Sequence, residues 1–229
     1  MRNCKEFADA VGINFKNLEI LKQAFVHRSY LNEHPDFPLA HNERLEFLGD
    51  AVLELIVTEY LYETYPNPEG ELTNWRASLV NAKTLSDIAS GLGMDDYLYL
   101  SKGESRDKNS KARQIILANA IEAVVGAIYL DQGYIVAGKF ISDHVLTKFK
   151  YILENELYRD PKSQFQEAAQ ERMGITPTYK VLSQSGPDHA RNFVIGVYIG
   201  TDKVAEGEGT SKQEAQMAAA AAGCKAKGW

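Results

Sequence analysis

Asn42-Glu43-Arg44-Leu45-Glu46-Phe47-Leu48-Gly49-Asp50 sets three carboxylates along one side of a strongly apolar stretch. At about 100° per residue, Glu43, Glu46 and Asp50 fall within roughly one quadrant of a helix, and Leu45, Leu48, Val52 and Leu55 mark the side expected to be buried. Carboxylates left unpaired against a core are expensive, so the pattern asks for a cation to compensate them. Every donor is a hard oxygen, and no Cys or His stands at metal-ligand spacing. That favours Mg²⁺ or Mn²⁺ over zinc.

A second segment complements the first. From Ile115 to Leu130 nearly every residue is apolar or small, yet Asn119 and Glu122 sit one helical turn apart. Two oxygen-bearing side chains at that spacing on an otherwise greasy helix need a site or a water-filled cleft. The simplest arrangement has them facing the first carboxylate set.

The chain has 229 residues and 45% hydrophobic content, which suits one large or two ordinary globular domains. No stretch approaches the roughly 18 uninterrupted apolar residues of a membrane span, because Glu54 and Glu59 interrupt one candidate and Asn119 and Glu122 the other. Met1-Arg2-Asn3-Cys4-Lys5-Glu6 leads into no apolar signal region. Cys4 and Cys224 lie at opposite ends with no pairing pattern, as expected of reduced thiols. A soluble, unexported, cytoplasmic protein with no membrane partner is expected. The net charge of −6 is unevenly divided: residues 1–159 carry 17 Lys and Arg against 23 Asp and Glu, and residues 160–229 carry eight of each. The acidic excess lies where a metal site would need it, and the second part can present a local basic face without being basic overall.

Residues 1–155 read as mostly helical. Leu18, Leu21, Phe25 and Val26 begin a periodic pattern. Residues 42–65 form a long helix ended by Pro66-Asn67-Pro68, and 71–92 continue as another to Gly91-Leu92-Gly93. Ser101–Arg113 is a polar loop, with Lys102, Arg106, Lys108, Lys111 and Arg113 either solvated or contacting phosphate. Near residues 155–160 the pattern changes. Asp160-Pro161 is a cap followed by a first-turn proline, opening a helix with Phe165, Ala168, Ala169 and Met173 inward and Gly174 as its stop. Alternation follows through Tyr179 and Val181, then Phe193, Ile195, Val197 and Ile199, then a run about Val204. Ser211-Lys212-Gln213-Glu214 is a capping box before an alanine-rich helix. The order is α-β-β-β-α.

The Asn42–Leu53 string, His27-Arg28-Ser29-Tyr30 upstream, Glu69-Gly70 and the Ile116–Leu130 helix together resemble bacterial ribonuclease III. Residues 160–229, with Gly186-Pro187-Asp188-His189 in the first β–β loop and Gly209-Thr210-Ser211-Lys212 at the last helix, resemble its double-stranded-RNA-binding domain. The resemblance covers almost the whole chain. It implies a two-domain protein, an all-α endonuclease domain over 1–155 and an α+β RNA-binding domain over 160–229. The implied activity is divalent-metal hydrolysis of double-stranded RNA, processing ribosomal precursors and other structured transcripts.

By the same resemblance Glu46, Asp50 and Glu122 are metal ligands, Asp50 and Glu122 are catalytic, and Mg²⁺ is the ion with Mn²⁺ as a substitute. Asn119 stands where an aspartate is usual. An amide oxygen can ligate but brings no charge, so a noncatalytic RNA-binding homologue is the alternative. Glu43 and Glu69 match accessory acidic positions, Glu69 acting across a subunit boundary. Glu54, where small residues are usual, either extends the acidic face or sits at its wet edge, the wet edge being favoured. Phe47 would enter a socket on a second subunit, giving a homodimer. Gln166 and Gln170 would face one RNA minor groove, His189 the next, and Lys212 the phosphates between. Lys212-Gln213 replaces the usual consecutive lysines, which implies weaker and more salt-sensitive binding.

Overall fold

The computed structural model describes residues 3–107, 110–187 and 191–229. The chain divides into two compact units, Met1–Tyr158 and Arg159–Trp229.

The first unit is helical: α1 (Cys4–Ala10), α2 (Leu18–Ala24), α3 (Arg28–Glu33), α4 (Glu43–Thr64), α5 (Glu69–Val80), α6 (Ala82–Gly91), α7 (Lys102–Arg106), α8 (Lys111–Gln132), α9 (Tyr134–His144) and α10 (Phe149–Glu154). Its only strand-like pairing among the described residues is an isolated bridge between Val26 and Tyr99. Caps set several of the boundaries. The Asn17 side chain accepts from the Glu19 N–H at 3.0 Å, that of Ser110 from the Arg113 N–H at 3.1 Å, and Gly133, at φ 82°, ends α8.

Helix α8 is long and apolar enough to cross a membrane by length and composition, although no such stretch was expected. Its surroundings decide otherwise. It packs against α2, α4, α6 and α9 and buries Ile116, Leu117, Ile121, Val124, Val125 and Ile128, so it is the central core helix of this unit. A buried helix is apolar all round for the same reason a membrane helix is.

Four expectations for this unit need correction. The single helix expected over 71–92 is two, because Asn81 breaks it: its Oδ1 accepts from the Thr84 N–H at 2.9 Å to start α6, while its Nδ2 donates to the Ser78 carbonyl at 2.9 Å. The buried stripe of α4 runs through Leu45, Gly49, Val52, Leu53, Ile56, Val57 and Leu61. Leu55 lies off it and is 57% exposed, and Leu48 is half-buried. The Ser101–Arg113 segment contains α7 and the first turn of α8 rather than one loop; Lys108 lies outside the described residues. Arg113 is buried, with Nε 3.3 Å from Asp95 Oδ1, so it braces the start of α8 and is closed to phosphate.

In the second unit α12 (Lys212–Lys227) packs on the antiparallel sheet β1 (Thr178–Ser185), β2 (Asn192–Ile199) and β3 (Asp202–Gly209), ordered β1-β2-β3, and α11 (Pro161–Met173) packs against α12. Phe193, Ile195, Val197 and Ile199 all point into the core, joined by Phe165, Ala169, Ala215, Ala219 and Ala220. Met173 is exposed, contrary to expectation. So is Val181: a register shift between Val181 and Ser183 interrupts the alternation of β1. The C-terminal Trp229 stacks on Phe165, with ring centroids 5.3 Å apart.

Candidate active site

Helices α4 and α8 touch backbone to backbone. A β-carbon at Gly49 would lie 1.7 Å from the Glu122 carbonyl oxygen, and one at Gly126 would lie 2.3 Å from that of Leu45. Only glycine tolerates such an approach. These two glycines bring the polar positions of both helices together: Asp50 and Glu46 of α4 bear their charge on Glu122 of α8, and Asn119 of α8 hydrogen-bonds Glu46. Neither glycine was singled out from sequence, although each stands within one turn of a candidate ligand.

The electrostatics report the convergence. Burial, then the negative charges of Asp50, Glu46 and Glu54, push the Glu122 carboxyl up to about 8. Burial also raises Glu46, helped by the charges of Glu43 and Asp50 and opposed by a hydrogen bond with Asn119. The carboxylates do not close into a ready-made cage: among the described residues no three His, Cys, Asp or Glu side chains stand together as a metal cluster. Like charges in a half-buried cleft repel one another, which favours spreading over closure. The donor set of three carboxylates and one amide oxygen nevertheless fits a hard divalent cation.

Other expected residues are placed differently. Glu43 lies beside two basic side chains, with Arg28 Nη1 at 3.5 Å and His41 Nδ1 at 3.7 Å. Glu69 opens α5 and lines a groove of about 860 Å³ with Tyr62, Tyr65, Leu72 and Arg76. It is not among the charges acting on Glu46 or Glu122. Phe47 is 82% exposed, which removes any intrachain core role.

The Ribonuclease-III-like family model matches residues 17–149, and the double-stranded RNA binding motif matches 161–226. Ribonuclease 3 of Borreliella afzelii is 41% identical over 96% of this chain and 90% of its own length. The chain belongs to the bacterial ribonuclease III family. Ribonuclease 3 of Chloroflexus aurantiacus is 43% identical over 94% of this chain and 88% of that protein. Among solved structures, the nuclease domain of ribonuclease III from Campylobacter jejuni matches with a TM-score of 0.58 at 35% identity, covering 65% of this chain and 99% of that domain. This ribonuclease III is therefore an endoribonuclease of double-stranded RNA, from a family whose nucleases depend on divalent metal. Nothing in these relatives favours the noncatalytic reading that Asn119 left open.

On the RNA-binding unit of this ribonuclease III, Gln166 and Gln170 are exposed on α11, and Gln170 Nε2 donates to Thr176 Oγ1 at 3.0 Å. Lys212 is exposed at the first position of α12, whose capping Ser211 accepts the Glu214 N–H at 3.2 Å. The Glu214 carboxylate reaches back to the Thr210 N–H at 3.1 Å, one residue earlier than in the expected capping box. His189 lies outside the described residues.

Proposed function

We propose that Glu46, Asp50, Asn119 and Glu122 hold the divalent cations of this ribonuclease, with Asp50 and Glu122 the catalytic pair, Mg²⁺ the working ion and Mn²⁺ able to replace it. The observation that supports the assignment is the glycine-mediated crossing of α4 and α8, beside which these four side chains act on one another through charge and a hydrogen bond. Bound there, two such ions would supply a nucleophilic water and neutralise charge on the phosphate and the leaving oxygen. The chain's own contribution is to orient the donors on two rigid helices and to keep the cleft half-buried, where charge interactions are strong. Asn119 orients Glu46 through its hydrogen bond. Glu122 keeps its proton near neutral pH until a compensating charge lowers its pKa.

The remaining roles are those that the resemblance to the family implies. Phe47, bare on α4, anchors a homodimer, and Glu69 serves as an accessory acidic residue away from the central cleft. Glu43 positions Arg28 and His41 at the edge of the acidic face. The domains span residues 1–155 and 160–229, and in the second Gln166, Gln170, His189 and Lys212 contact the minor grooves and phosphates of A-form RNA. Two free, buried cysteines accord with a cytoplasmic enzyme that processes ribosomal precursors and other structured transcripts.

The test is cleavage of long duplex RNA by wild type and by Glu122→Gln, in Mg²⁺ and in EDTA. Wild type is expected to cut only with the ion, and Glu122→Gln to bind duplex without cutting. A folded Glu122→Gln protein that cuts as fast as wild type would remove Glu122 from the reaction.

A further inference from the structure

The acidic face of α4 continues past Asp50. Glu54 stands one helical turn beyond it on the same side, and it is exposed. The backbone there is fixed independently of the carboxylate: the Glu54 carbonyl accepts from Thr58 Oγ1 at 2.6 Å, and Thr58 Oγ1 in turn accepts from Arg76 Nη1 at 3.0 Å. At the opposite end of the strip Glu43 is engaged by Arg28 and His41. The Glu54 carboxylate has no ion-pair partner among the described residues, and its charge bears on Glu122 across the helix crossing.

Position 119 is the counterpart of this surplus. Asn119 offers the cleft an amide and a hydrogen bond to Glu46 but no negative charge. Glu46, Asp50 and Glu122 alone would set three negative charges against the four positive charges of two divalent ions.

We propose that Glu54 is a fourth carboxylate of the cation site, supplying from α4 the negative charge that Asn119 withholds on α8. This rests on reading the cleft as a cation site. Exposure places Glu54 at the solvent side, where it acts through the water that Mg²⁺ and Mn²⁺ retain rather than by direct ligation. A strongly hydrated ion is held by such outer hydrogen bonds as well as by direct oxygens, and losing one weakens affinity on the order of tenfold. Glu54 is thereby a positioning residue whose value depends on what occupies position 119.

The experiment is Mn²⁺ binding to the full chain without RNA, read as the electron paramagnetic resonance signal of free Mn²⁺. The proteins are wild type, Glu54→Gln, Asn119→Asp, the double variant and Glu122→Gln, with circular dichroism as the check on folding. Glu54→Gln is expected to weaken Mn²⁺ binding by about tenfold in the native background and much less when residue 119 carries a carboxylate. Glu19→Gln, an exposed charge change on α2, should leave the isotherm unchanged. If Glu54→Gln coincides with wild type while Glu122→Gln binds weakly, Glu54 is no part of the site. An equal cost of Glu54→Gln in both backgrounds also overturns the proposal, since the two positions would then be independent. If Glu122→Gln too binds as wild type does, the cation-site reading itself fails.

Discussion

Gly49 and Glu122 are in backbone contact across the two longest helices of the nuclease unit, at a distance that leaves no room for a side chain on Gly49. The contact brings the polar positions of the two helices together, so that Asp50, the next residue on α4, bears its charge on Glu122. Gly49→Ala would place a methyl group 1.7 Å from a carbonyl oxygen, and the neighbouring atoms are backbone, so the helices must separate. We expect Gly49→Ala to cost at least about 3 kcal/mol of stability, at the severe end of overpacking, and to abolish cleavage together with Mn²⁺ binding. Thermal unfolding and a metal isotherm on the same preparation check both. A variant as stable and active as wild type would show that the crossing is not the determinant.

Phe47 is bare in one chain although its helix neighbours Leu45 and Gly49 are buried. Leu55 and Tyr62, also exposed, follow at helical spacing on the same face of α4, extending an apolar surface. Phe47→Glu should yield monomers with little activity and an unchanged circular dichroism spectrum. Light scattering at micromolar concentration is the measurement, and a dimeric Phe47→Glu protein would exclude Phe47 from the interface.

Stability in EDTA should fall as pH rises. Burial and the charges of Asp50, Glu46 and Glu54 move Glu122 from its ordinary 4.5 to about 8. Between those values the native chain keeps a proton that the unfolded chain has lost. The favourable contribution is therefore complete below pH 4.5 and is lost as pH climbs through about 8. Glu46, raised for related reasons, acts with the same sign. Melting temperature in EDTA is expected to decline over that window, to decline less in Glu122→Gln, and to recover at the alkaline end when Mg²⁺ is added. Coincident pH profiles for the two proteins would contradict the raised carboxyl.

Much of this was legible because local chemistry and tertiary environment agree. Pro66 and Pro68 follow the end of α4, Asp160 and Pro161 begin α11, and Ser211 caps α12, each through a bond or restriction spanning only a few residues. The readings that failed depend on partners distant in sequence. Leu55 is apolar in a helical run, yet the packing of α8 selects Gly49, Leu53 and Ile56 as the buried line. Arg113 looks like a loop cation until Asp95 meets it. For the proposed site, the carboxylate pattern can be read from helical phase and from resemblance to the family. The glycine contact that brings them together was hidden, since a glycine in a helix signals nothing until the opposing helix is known.

The departure at Asn119 gives the sharpest expectation about catalysis. Its amide already contributes a hydrogen bond to Glu46, so Asn119→Asp changes charge while nearly conserving shape, and the fold should be unaffected. One added carboxylate in a half-buried cleft attracts divalent ions strongly, and Mg²⁺ prefers charged oxygen. Asn119→Asp should therefore lower the Mg²⁺ concentration giving half-maximal cleavage by several-fold and raise the rate at limiting Mg²⁺. At saturating metal the two proteins should converge, because the substitution alters occupancy more than the chemistry of the filled site. A Mg²⁺ titration of both on one duplex substrate provides the comparison. Superimposable curves would mean that residue 119 is not a ligand. A rate difference persisting at saturation would instead give the residue a part in the chemical step beyond holding the ion.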